Sequence, residues 1–315
     1  MNATKVKTKR ENILRTIAAH VVSWFVPRAN RRQVRINILF GVRRIKRALK
    51  AEPGRTFPHN LAIVAIARNE GRYFQEWIEY HRIMGVEKFL VYDNESTDNT
   101  FDVLKPYIDS GVVEYFYVRG DKLQKAAYDH ALGYGKDKFR WLAFIDLDEF
   151  IVPLKHESIP DFLLGFAPDV AQIFMKWKLY GSSGHVQRPD GLVIENYKYA
   201  KADNSAEANK VIVNPRLALK CYSPHVFHVV GRSVDELGNT VRASNVLPVT
   251  QNVIRVNHYR CKSWQDSQEK HNKGDAFFGK NYVRYTRADF DRFDTNEVVD
   301  NTMDKFVKPV KQACK

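Results

Sequence analysis

Trp141-Leu142-Ala143-Phe144-Ile145 is an unbroken apolar run that ends in Asp146-Leu147-Asp148-Glu149-Phe150, three carboxylates within four positions. A run of this kind reads as a strand buried on both faces, which requires a sheet covered by a further layer on each side. The same unit occurs earlier in the chain. Asn60-Leu61-Ala62-Ile63-Val64-Ala65-Ile66-Ala67 ends in Arg68-Asn69-Glu70-Gly71, and Glu87-Lys88-Phe89-Leu90-Val91-Tyr92 ends in Asp93-Asn94-Glu95-Ser96-Thr97-Asp98. A third strand is expected at Val112–Val118. Between these runs Tyr73, Trp77, Ile78 and His81 recur at helical spacing, a second helix is expected to end near Tyr107, and a third runs from Gln124 to Gly133. Alternation of this sort predicts an α/β fold, with a mostly parallel sheet and helices on both faces.

In such a sheet ligands bind outside the carboxyl ends of the strands. The clusters at Arg68-Asn69-Glu70, Asp93 to Asp98 and Asp146 to Glu149 should therefore gather along one edge. Asp146 and Asp148 stand two apart, and on extended backbone such residues face the same way. Their mutual repulsion would be relieved by a divalent cation, and oxygen ligation suits Mg²⁺ or Mn²⁺. Glu149 is expected to point the opposite way. No glycine-rich phosphate loop is present. A metal would have to carry the charge of a bound diphosphate, helped by Arg68 or Lys125.

After Pro153 the pattern changes to β-like pieces at Ala171–Tyr180, Val211–Val213 and Val253–Val256, read as a small antiparallel C-terminal extension. The expected organisation is an N-terminal arm over residues 1–58, a catalytic domain over 59–275 and a partly helical tail over 276–315. Cys221, Cys261 and Cys314 have no metal-type spacing and fit a reducing compartment.

The net charge of +14 suggests a nucleic-acid partner only until it is mapped. Residues 1–50 hold 14 Lys and Arg against the single acid Glu11, leaving about +1 for everything else. Apolar residues such as Ile13, Leu14, Ile17, Trp24 and Phe25 are interleaved with those charges. A basic amphipathic arm of this type fits an anionic membrane surface, and no nucleic-acid-binding motif accompanies it. The apolar stretch from Ile17 to Val26 is too short to span a bilayer. The expected location is cytoplasmic and peripheral to the membrane.

Seven motifs in order resemble glycosyltransferase family 92 and the related family 2 branch. They are Ala67-Arg68-Asn69-Glu70, Glu76-Trp77-Ile78-Glu79-Tyr80-His81, Tyr92-Asp93-Asn94-Glu95-Ser96-Thr97-Asp98, Phe144-Ile145-Asp146-Leu147-Asp148-Glu149-Phe150, Trp177-Lys178, Lys210-Val211-Ile212-Val213-Asn214-Pro215 and Asn257-His258-Tyr259-Arg260-Cys261-Lys262-Ser263. The resemblance implies a GT-A fold and inverting transfer of a hexose, with galactose suggested, from a UDP-sugar to a glycan or lipid-linked acceptor. It also implies Mn²⁺ or Mg²⁺, with Asp148 as direct ligand, Asp146 on the ribose or a metal-bound water, and His258 completing the metal shell. Asp93 would meet the uracil or ribose, and Arg68 and Glu70, with Asn69 and Asp98 beside them, would line the nucleotide pocket. An imidazole ligand tilts the preference towards Mn²⁺.

A general base must still deprotonate the acceptor. Glu149, Glu236 and His185 are candidates, and Asp235 is the choice. The competing readings are a sugar-1-phosphate nucleotidyltransferase, which would need a basic glycine-rich loop after the first strand, and a non-catalytic basic-armed binding protein.

Overall fold

The computed structural model describes residues 3–6, 13–26, 31–41, 56–203, 208–244, 250–272, 279 and 286–315. Four parallel strands open the main sheet: β1 (His59–Ala67), β2 (Lys88–Asp93), β3 (Val113–Tyr117) and β4 (Phe139–Phe144), in the spatial order β3-β2-β1-β4. Side chains alternate along β1. Leu61, Ile63, Ala65 and Ala67 enter one hydrophobic core, while Ala62, Val64 and Ile66 enter another. Both faces are thus buried, as the continuous apolar runs require.

The first core is covered by α3 (Gly71–Ile83), on which α4 (Thr100–Asp109) packs. The second is covered by α5 (Gln124–Gly135), through Ala127, Tyr128, Ala131 and Leu132. Helix α3 also grips β5 (Glu149–Pro153): Trp77 Nε1 donates to Glu149 O at 2.8 Å and Tyr80 Oη to Ile151 O at 3.0 Å. His81 Nε2 accepts from Ile151 N at 3.2 Å, and burial lowers its pKa to about 3, keeping the ring neutral. Trp77 and His81 are core residues of the helix–sheet interface, as their spacing suggests.

The later β segments extend the main sheet itself, partly in the antiparallel sense. Two short helices, α6 (Ile159–Leu163) and α7 (Val193–Asn196), flank the chain before and after β6 (Val170–Leu179). Strand β6 enters the main sheet, together with β8 (Asn209–Val213) and β12 (Ile254–His258). The order continues from β4 as β8-β6-β12-β5, with β11 (Arg232–Val234) also paired to β6. Only β8 against β4 and β6, and β5 against β12, run antiparallel. The apolar β8 run, Val211-Ile212-Val213, has no polar face because Ile212 enters one core and Val211 and Val213 the other, on opposite sides of the sheet. An antiparallel hairpin of β9 (Ala218–Ser223) and β10 (Val226–Val229) lies outside the main sheet, as does β7 (Tyr199–Ala200).

In the arm, α1 (Ile13–Trp24) packs against α2 (Arg31–Phe40), and Ile36 of α2 is buried against Leu219 and Val230. The expected break after residue 50 lies mostly outside the described residues, as does the 275/276 boundary. Helix α8 (Trp264–Asn272) precedes that second gap. The described part of the expected tail packs on the body: α9 (Arg287–Phe293) places Phe290 against Trp264, and β13 (Val298–Val299) pairs with β7. Helix α10 (Asp304–Ala313) buries Val310 and sets Phe306 against Tyr80, in contact with α3.

Candidate active site

The segment after β4 is a turn and not a continued strand. Glu149 N donates to Asp146 O at 3.1 Å, closing a four-residue turn that reverses the chain into β5. The alternation of extended backbone therefore fails here, and Asp146 and Asp148 take different partners. Asp146 accepts from Lys210 Nζ at 2.6 Å and Gln124 Nε2 at 3.2 Å. Asp148 instead meets His258, whose Nε2 lies 3.5 Å from Asp148 Oδ2, and Lys270, whose ammonium donates to the same oxygen.

Pairing across β5 and β12 sets His258 opposite Glu149, and Tyr259 N donates to Asp148 O at 2.8 Å. As a result one oxygen each from Asp148 and Glu149 and one nitrogen of His258 lie within 4.8 Å of one another, all on buried residues. Glu149 Oε1 and His258 Nδ1 are buried with no hydrogen-bond partner. Trp177 of β6 packs over the His258 ring at 4.3 Å between centroids and fixes its plane. Two carboxylates and an imidazole, with an unspent oxygen on Glu149 and an unspent nitrogen on His258, fit a divalent cation, and the nitrogen favours Mn²⁺ over Mg²⁺.

The electrostatics divide the two carboxylates. Burial raises the Asp148 pKa, but Lys270 and His258 outweigh it and hold the carboxyl well below its usual range. Burial pushes Glu149 up to about 8, Lys210 opposing and Asp146 and Asp148 adding to the rise. Burial also disfavours the Lys210 ammonium, yet Asp146 and Glu149 keep its pKa above the ordinary lysine value. His258 is lowered by burial, partly offset by Asp148, so its ring is held as a neutral donor.

The loops after β1 and β2 form the adjoining edge. Asn69 sits at a positive φ of 54°, a conformation its short amide side chain tolerates, and it stitches the loops together. Its N donates to Ser96 Oγ at 2.9 Å, and its Oδ1 accepts from Thr97 N at 2.7 Å. Asp98 accepts from Gly71 N at 3.0 Å and from Thr100 N and Oγ1. A side chain at Gly71 would collide with Asn99 Oδ1 at 2.3 Å and Thr100 N at 2.9 Å, so only glycine permits this approach. Asp93 is buried and accepts from Ser96 N at 2.8 Å and Tyr115 Oη at 2.5 Å.

A cavity of about 590 Å³ opens between these loops and α8. Arg68, Asn69, Glu70, Arg72, Tyr73 and Asp98 form one wall, and Lys262, Asp266, Glu269, Lys270 and Asn272 the other. Arg68 Nε is buried and unpaired in its wall. Asp266 is committed to structure, accepting from Tyr197 Oη at 3.1 Å and Ser263 Oγ at 2.6 Å, and from Tyr73 and Arg188.

The geometry revises several sequence expectations. Asp148 and His258 meet, but Asp146 is not in their group, because the turn swings it onto Lys210. Its side chain keeps 36% exposure, which leaves it accessible from the sheet edge. Glu149, expected to point away, is the third member. Arg68, Asn69, Glu70 and Asp98 line the cavity together, whereas Asp93 and Lys125 are not part of its lining. Lys125 lies on the flank of α5, close enough to Cys221 of β9 to act on its thiol.

Asp235 is placed elsewhere. It follows β11, and its carboxylate accepts from Leu237 N and Asn239 N, both at 2.9 Å, and from Asn239 Nδ2 at 3.1 Å. That carboxylate closes its own turn beside the N-terminal half of β6, since Val234 pairs with Ile173, whereas His258 pairs with Leu179 at the far end of β6. Glu236 is equally committed, to Thr250 and to the backbone N–H groups of Asn252, Val253 and Ile254. Sequence reasoning gave no role to Lys270 or Gln124, and none to Lys210 beyond its motif. Lys210 carries a usable signal, a lone charge directly before the apolar run Val211-Ile212-Val213; Lys270 carries none.

A family profile described as Glycosyltransferase family 92 matches residues 65–302. A glycosyltransferase family 92 protein of Oryza sativa subsp. japonica is 26% identical over 216 residues, covering 67% of this chain and 35% of that protein. One from Ricinus communis is 28% identical over 217 residues, covering 68% of this chain and 37% of that protein. The chain thus spans about a third of the length of the curated relatives it matches. Among solved structures, S. aureus TarS 1-349 in complex with UDP aligns with a TM-score of 0.35 and 14% identity, over 50% of this chain and 47% of that one. Glucosyl-3-phosphoglycerate synthase from Mycobacterium tuberculosis, in complex with Mn²⁺, UDP and glucosyl-3-phosphoglycerate, aligns with a TM-score of 0.28 and 17% identity, over 55% and 61%. Both structural likenesses are too distant to bear on this chain's chemistry. The profile match takes in β2, the turn carrying Asp148 and Glu149, and the strand carrying His258, and it shows that the chain belongs to glycosyltransferase family 92.

Proposed function

We propose that the chain is a metal-dependent, inverting glycosyltransferase that moves a hexose from a UDP-sugar to a glycan or lipid-linked acceptor. The observation that carries this reading is the buried Asp148–Glu149–His258 group, joined through Lys270 to a cavity lined by both cations and carboxylates. Asp148, Glu149 and His258 are the residues that would hold Mn²⁺ or Mg²⁺. When bound, the ion supplies charge stabilisation to a departing diphosphate, so that no proton need be delivered to it. The protein's own part is binding and orientation. Arg68, with its unspent Nε, and Arg72 and Lys262 face the cavity as cationic partners for phosphate oxygens. Trp177 holds the His258 plane, and Lys210 holds the turn that presents Asp148.

The test is release of UDP from a panel of UDP-hexoses, UDP-galactose first, by chelator-treated protein with and without added Mn²⁺. Turnover should appear only with the metal and with one donor clearly preferred. Undiminished turnover in excess chelator would remove the metal from the reading.

We also propose that the arm holds the enzyme against an anionic membrane, on the cytoplasmic side, where a lipid-linked acceptor would be concentrated. Ile13, Leu14, Ile17, Val21, Trp24 and Phe25 fall on one side of a helical projection from residue 13, and all are exposed, Trp24 at 77% and Phe25 at 85%. No helix of the described residues is long and apolar enough to cross a membrane. Replacing Trp24 and Phe25 together by Glu should lower cosedimentation with phosphatidylserine vesicles by about tenfold or more, two buried aromatics contributing roughly 1.5–3 kcal/mol each. Unchanged vesicle binding would sink the idea.

A further inference from the structure

One oxygen of the candidate metal site is already taken by a cation of the protein's own. Lys270, in the last turn of α8, donates from its ammonium to Asp148 Oδ2, the oxygen that also faces His258 Nε2 at 3.5 Å. Its side chain keeps 37% exposure and forms part of the cavity wall, so it reaches Asp148 from the space where a ligand would lie. Lys210, by contrast, has no exposed side chain and is locked between Asp146 and Glu149.

Resting on the metal-site reading above, we propose that Lys270 occupies the cation seat on Asp148 and must leave it for a divalent metal to bind, making metal loading conditional on a diphosphate that receives the displaced ammonium.

Charge counting gives the reason. The carboxylates of Asp146, Asp148 and Glu149 face the ammonium groups of Lys210 and Lys270, which leaves at most one negative charge uncompensated. A divalent ion added to that set makes it cationic, and an ammonium and a divalent ion competing for the same carboxylate oxygen repel each other. Lys210 cannot relieve this, because it is buried beneath the turn. Lys270 can, because its open side is the cavity. A diphosphate there brings negative charge to meet both the displaced ammonium and the metal. Metal and nucleotide then strengthen each other's binding by the same factor, which for coupled sites is typically about 5- to 150-fold.

Mn²⁺ binding to the full chain, read from the free-ion electron paramagnetic resonance signal with and without UDP, tests this. Without UDP, K270M should bind Mn²⁺ about tenfold tighter than wild type, and its gain in Mn²⁺ affinity on adding UDP should shrink correspondingly. K270R, which keeps the charge, should behave as wild type. A K270M protein that was merely misfolded would bind Mn²⁺ less tightly, not more. Equal Mn²⁺ affinity of wild type and K270M in the absence of UDP would overturn the proposal. D148N is the separate control: if it binds Mn²⁺ as wild type does, the metal-site assignment beneath the proposal fails instead.

Discussion

Replacing Asp148 by asparagine should lower Mn²⁺-dependent UDP release by at least about a hundredfold, the scale of losing one central electrostatic group from a site of this kind. Folding should survive the change. The carboxylate is buried, but its cationic partner Lys270 keeps an exposed path and can turn back to solvent when the pair is lost. The informative comparison is Asp146→Asn. Two carboxylates converging on one ion would make both variants lose Mn²⁺ alike. The turn geometry expects a different result, because Asp146 is spent on Lys210 and Gln124. Asp146→Asn should keep Mn²⁺ affinity within a few-fold, while Asp148→Asn should lose it by about tenfold or more. Equal losses in the two variants would restore the symmetrical pair and overturn the assignment of Glu149.

Lys210→Met should destabilise the chelator-treated protein by about 3 kcal/mol, the usual scale for removing one partner from a buried ion pair. Lys210 and Glu149 side chains are both fully buried, so the carboxyl left behind cannot reach water and can be accommodated only by taking up a proton. Denaturant unfolding measures the loss, and Lys210→Met combined with Glu149→Gln should recover part of it by removing the stranded titratable group. The effect has a pH sign. Glu149 titrates near 8 in the folded chain against an ordinary value of 4.5, so the folded state binds the extra proton across that interval. Its contribution is favourable at the acid end and is lost as pH rises through about 8. Without Lys210 the ionised form is disfavoured further, and the variant's deficit should be larger at pH 8 than at pH 6. A deficit below about 1 kcal/mol at both pH values would show that the ion pair contributes little.

The fold was legible because its strands are buried on both faces. A strand such as Leu61 to Ala67 feeds two cores by simple alternation, and that requirement is written as continuous apolar residues. The loop clusters at Arg68-Asn69-Glu70 and at Asp98 were legible for the same reason, since they follow directly from where two parallel strands stop. The central acidic motif departs from its expected geometry in one respect. Extended geometry ends at Phe144, and the backbone hydrogen bond from Glu149 to Asp146 then reverses the chain. Nothing in the residues around Asp235 announces that its carboxylate is consumed by the backbone two and four residues on.

The α/β architecture, the polar strand ends, the basic arm and the likeness to a transferase family depend on local pattern or on motifs in linear order, and are written in the chain itself. Tertiary structure alone decided which charges meet. Lys210 reaches Asp146 across 64 residues and Lys270 reaches Asp148 across 122. Both contacts are fixed by strand order and by the placement of α8 against the sheet edge. No periodicity encodes such pairings, because a charge buried against a distant partner is chosen by the packing of the whole sheet and not by its neighbours in the chain.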